Sequence, residues 1–130
     1  MVEQRSKEVM PFDLGMTMHI FTPTAHGGVQ EVIAHDGNAH QIALIRAHLR
    51  KEAAAFSRGD FGDPAKIHGT NMPGLARLRR GAAKIAITYA PTAEGAAIRY
   101  KTSDPTLVAA LHDWFTAQVK DHGPHAMMGH

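Results

Sequence analysis

The sequence predicts a single α+β domain of order ββαββα, a four-stranded antiparallel sheet with two helices on one face. Three observations predict it. Two pairs of short segments alternate apolar and polar residues around turns bearing proline and glycine, the pattern of half-buried strands joined as hairpins. Each pair is followed by a segment whose apolar residues recur at helical spacing. The chain has 130 residues, 44% hydrophobic and 20% charged, which suits one packed core rather than two.

The elements follow in order. Residues 1–10, MVEQRSKEVM, are polar and form a flexible N-terminal segment ahead of a domain spanning 11–122. The first strand covers 16–21, a turn of several residues runs from Thr22 to Gly28, and 29–34 returns. Asp36 or Asn38 caps the first helix, because a short side-chain oxygen accepts the free amides of the first turn. Ile42, Ile45, Leu49, Ala53 and Phe56 form its apolar stripe, and Gly59 ends it. Residues 59–81 are irregular, with Asp63-Pro64 and Met72-Pro73 each opening a short helical turn. Leu75 and Leu78 anchor the second of these turns and Gly81 stops it.

The second half repeats this order. A strand over 84–89, a turn over Pro91–Gly95 and a strand over 97–101 lead to a helix capped by Ser103 or Asp104. Leu107, Leu111, Trp114 and Gln118 make one row of that helix, and Gly123-Pro124 ends it. Residues 123–130 are a tail rich in histidine and methionine. The core draws on Ile85, Ile87, Ile98 and Tyr100 from the sheet, with Ile45, Leu49, Phe56, Leu111 and Phe115 from the helices. The opposite sheet face carries Lys84, Thr88, Arg99 and Lys101 and meets solvent or a partner. Pro23–Gly27 matches Pro91–Gly95, and each precedes a strand, a capped helix and a mid-helix histidine, His48 or His112. That match reads as an internal duplication; convergent hairpin chemistry is the alternative.

Composition excludes several functions. There is no cysteine, hence no disulfide, thiolate nucleophile or iron–sulfur site. Fourteen Lys and Arg against twelve Asp and Glu give a formal charge of +2, too balanced to indicate a nucleic-acid partner. No apolar run is long enough for a membrane span. The first residues show no apolar leader, so the chain is expected in the cytoplasm if Met1 is the native start, and in the periplasm if a leader has been removed. No Gly-x-Ser-x-Gly elbow, phosphate loop or His-Glu-x-x-His helix is present.

Several segments together resemble a family of small bacterial proteins. They are His19-Ile20-Phe21-Thr22, Gly27-Gly28-Val29-Gln30, the block from Gly59 through Asp63-Pro64-Ala65 to Ile67-His68-Gly69, and Met72-Pro73-Gly74-Leu75. The similarity runs from about Met10 to His130. Members often carry the label aspartate carbamoyltransferase. That label does not transfer to this chain: the enzyme is more than twice as long, and its carbamoyl-phosphate loop of Ser-Thr-Arg-Thr-Arg type is missing here. Secretory leaders are frequent in the family, so the resemblance implies a periplasmic location. It implies no activity.

Ten histidines and seven methionines without cysteine leave one chemical lead. His68 and Met72 stand four residues apart in a glycine- and proline-rich loop, and imidazole with thioether suits copper, above all Cu(I). His48 and His112 lie beside the apolar stripes of their helices, and if those helices pack side by side the two imidazoles add to the ligand set. His122 and His125, in and beside the tail, are accessory ligands. The plain alternative is that Met72 fills a gap in the core while the histidines bond backbone carbonyls. The expectation is a small protein that sequesters or delivers copper. A haem-binding module with an axial histidine is the first alternative. A ligand-free domain that forms a homodimer through its sheet face is the second.

Overall fold

The computed structural model describes residues 17–35, 37–60, 74–122 and 126–129. Strands β1 (Thr17–Thr24) and β2 (Gly27–Ala34) form the first hairpin, followed by helix α1 (Ala39–Ser57). Helix α2 (Leu75–Gly81) runs into a 3-10 turn over Ala82–Lys84. Strands β3 (Ala86–Thr92) and β4 (Gly95–Lys101) form the second hairpin, followed by helix α3 (Pro105–His122) and a short strand β5 (Ala126–Met128). No described helix is long and apolar enough to cross a membrane.

The sheet has five strands in the order β3-β4-β2-β1-β5 rather than the four expected. All neighbours are antiparallel except β5, which runs parallel to β1 and pairs Ile20 with Met127. Three residues of low alternation inside a polar tail carry no periodic signal, so β5 is set by pairing to the β1 edge. Both hairpins are tighter than expected. Only Ala25-His26 and Ala93-Glu94 lie between the strands, so Pro23 and Pro91 sit within them, opposite Gly28 and Ala96. Proline is tolerated where its missing N–H faces an open edge. β3 is an outer strand, and β5 covers β1 only at His19, Ile20 and Phe21. β3 begins at Ala86, and Lys84 belongs to the 3-10 turn before it.

A local two-fold relates the two ββα units. In the central ladder Gly27 pairs with Lys101 as Ile33 pairs with Gly95, and Val29 pairs with Arg99 as Glu31 pairs with Ala97. The amide of Ala34 donates to Glu94 O at 2.9 Å, and that of Thr102 donates to His26 O at 2.8 Å. A Cβ on Gly27 would fall 2.0 Å from Tyr100 O, and one on Gly95 would fall 1.9 Å from Val32 O. Each turn thus presses on the other hairpin at a point that admits no side chain.

One sheet face carries the helices. Thr17, His19 and Phe21, Gln30, Val32 and Ala34, and Ala96, Ile98 and Tyr100 are buried on that side at the period of two that a strand imposes. His19 is 2% exposed and stacks beside Phe21, so it faces the helices rather than the open face or a partner. Phe21, Phe56, Tyr100, Trp114 and Phe115 make a continuous aromatic core, with Trp114 edge-on to Phe56 and Tyr100 at 5.8 and 5.9 Å between ring centres. Fully burying such a ring contributes roughly 1.5–3 kcal/mol. The caps are those the sequence indicates: Asn38 Oδ1 accepts from the amide of Gln41, and Asp104 Oδ1 from that of Thr106.

Candidate functional site

The expected metal ligands are not gathered among the described residues. His68, Met72 and His125 lie outside them, as does the side chain of His122. His48 is buried on α1 and its Nε2 is paired with Oε1 of Glu52, one helical turn on. His112 stands on α3 with Nε2 2.9 Å from both Thr24 O and Gly27 O. Two carbonyls can only accept, so this nitrogen carries the proton and is occupied as a donor. His48 and His112 thus serve different ends of the fold. Among the described residues no three of His, Asp and Glu converge in a metal-ligating group.

His112 has a structural counterpart, and it is Arg46 rather than His48. Arg46 Nε donates to Gly95 O at 3.0 Å and its terminal nitrogen to Thr92 O at 2.6 Å. Under the local two-fold, Thr92 and Gly95 occupy the places of Thr24 and Gly27. Each long helix therefore clamps the hairpin turn of the other half through the same two carbonyls.

The turn that His112 holds borders a concavity. Two adjoining cavities, of about 610 and 540 Å³, share His26, Ala86 and Lys101. The first continues along Lys84, Ile85 and Ser103, at the junction of the 3-10 turn and α3. The second continues along Val29, Thr88 and Arg99 on the sheet face away from the helices. Each volume is in the range of a small-molecule site. Among the described residues the joint lining holds three fixed cations and an imidazole and no acidic side chain. Asp104 stands nearby, but hydrogen bonds from the hydroxyl and amide of Thr106 hold its carboxyl below the usual carboxylate range, with a smaller pull from Lys84. That carboxylate is spent on capping α3.

At the related turn of the other hairpin the charged residues differ. Glu94 takes the place of His26, Glu31 that of Arg99, and Ile33 that of Lys101. The backbone repeats while the charges do not, which separates the chemistry of this end from the requirements of the fold. The sequence did place Thr88, Arg99 and Lys101 on the outward face. It gave no sign that the His26 turn folds against them, because that contact joins the two hairpins.

A smaller concavity of about 120 Å³ lies beside Glu52, Phe56, Arg58 and Asp60 at the end of α1. Its lining mixes both signs of charge and selects no ligand class. Comparison with family models, curated proteins and solved structures finds no match to this chain.

Proposed function

We propose that this domain binds a small amphipathic anion in the groove at His26. The observation that supports the reading is the meeting of Lys84, Arg99 and Lys101 with His26 around apolar walls from Val29, Ile85 and Ala86, with no acid among the described lining residues. Lys101 belongs to both cavities and is the natural seat of the head group. The apolar body then lies along Val29 and Ala86. Because the cations are exposed, each adds only about 1 kcal/mol in ordinary salt, and the walls supply the rest.

The test is a titration with decanoate and with decanol, which share a chain and differ in charge. Decanoate should bind about tenfold or more tightly than decanol, a difference of roughly 1.4 kcal/mol. Lys101→Glu and Lys84→Glu should each remove most of that difference and leave decanol binding unchanged. Raising the salt should act in the same direction. Equal binding of acid and alcohol, or of neither, would sink the proposal.

A further inference from the structure

We infer that the sheet face opposite the helices is the contact between two copies of this chain. The described strands set Met18 and Ile20, Val29 and Ile33, and Met127 on that side, half-buried or exposed and in register across three strands. Met127 is 46% exposed and is the one large apolar side chain so exposed among the described residues. The packed elements lie on the other side: α1 against β2, β3 and β4, and α3 against β1, β2 and β5.

Charge identifies the occupant. Glu31 is the sole acidic side chain at the outward strand positions described, and Arg99 stands diagonally across the central ladder from it. Neither forms an ion pair within the chain among the described residues. The local two-fold exchanges positions 31 and 99. The face therefore has much the same backbone shape either way round, with opposite charge at its two equivalent points. A second copy, turned about an axis lying in the face midway between them, sets its Glu31 over Arg99 and its Arg99 over Glu31. Both ion pairs form at once, flanked by the apolar residues, as an isologous contact requires.

The strands lie about 4.8 Å apart, so five of them are roughly 24 Å across, and the face offers at most about the ~800 Å² per partner of a standard stable interface. The dimer is accordingly weak, with dissociation in the micromolar range or above. This inference shares Val29 and Arg99 with the anion groove but uses neither Lys84, Lys101 nor His26, so Lys101→Glu tests the groove alone and Glu31→Arg tests this contact alone.

Sedimentation equilibrium of the full chain, from micromolar to near-millimolar, tests it. The chain should move from monomer to dimer across that range. Glu31→Arg and Arg99→Glu should each weaken association by about tenfold or more, and the double reversal should restore it. Ile20→Glu should leave a monomer with an unchanged circular dichroism spectrum. A monomer at every concentration overturns the inference, as it would if another segment of the chain covered this face. A dimer indifferent to all these changes overturns it equally.

Discussion

Tyr100 is a phenol whose burial disfavours its anion. It is 3% exposed, its hydroxyl donates to Gln30 Oε1 at 2.7 Å, and burial, with a smaller contribution from the charge of Glu52, pushes its pKa well above the usual value. In the unfolded chain the phenol ionises near pH 10. The folded state therefore keeps a proton that the unfolded state releases. The associated stability is complete below about pH 10 and is lost as pH rises beyond it. In a Tyr89→Phe background, tyrosinate absorbance should appear together with loss of circular dichroism; a phenol that ionises before the structure melts contradicts this account. Tyr100→Phe should cost about 1 kcal/mol at neutral pH, the net value of a typical hydrogen bond, and should flatten the alkaline loss. The sequence placed Tyr100 in the core from its alternation with Ile98. It did not reveal the partner, because Gln30 is seventy residues away and reads as an ordinary polar strand position.

At the level of elements, the helices do more than cover a sheet. α1 and α3 each reach across to hold the turn of the hairpin they do not follow, through Arg46 and His112. Arg46→Ala removes two charge-assisted bonds and should cost about 1.5–3 kcal/mol, and His112→Ala about 1–2 kcal/mol. Hydrogen exchange should quicken at the β3–β4 turn in the first variant and at the β1–β2 turn in the second. Exchange spread evenly over the sheet would show that the clamps are not local. His112→Ala should also loosen the His26 wall of the groove and weaken decanoate binding, although His112 itself does not line it.

Helix positions were largely legible in the sequence. The stripe from Ile42 to Phe56, the Asn38 cap and the Leu75–Gly81 turn all reflect local spacing and local hydrogen bonds. The hairpin turns were drawn too long because proline and glycine were read as breakers. At a sheet edge, Pro23 and Pro91 are compatible with a strand. β5 and the groove depend on contacts between distant segments and left no periodic trace.

Across the whole molecule, two readings of the histidines make opposite forecasts. The groove needs no metal, so protein purified after growth with added copper, zinc, nickel and iron, and dialysed without chelator, should retain none. Near-stoichiometric copper that disappears with His68→Ala and Met72→Ala would instead restore the thioether–imidazole reading and displace the groove from its primary role.

The local two-fold also bears on how the sheet is assembled. Within each hairpin the pairing is between near neighbours, closed over two-residue turns. The ladder between β2 and β4 must instead bring Gly27 to Lys101 across the whole of α1, the 59–81 region and β3. The hairpins therefore close at little entropic cost, while the central seam bears the expense of shutting a long loop. The middle of the finished sheet is consequently its costliest pairing to form, though it is flanked by strands on both sides once made.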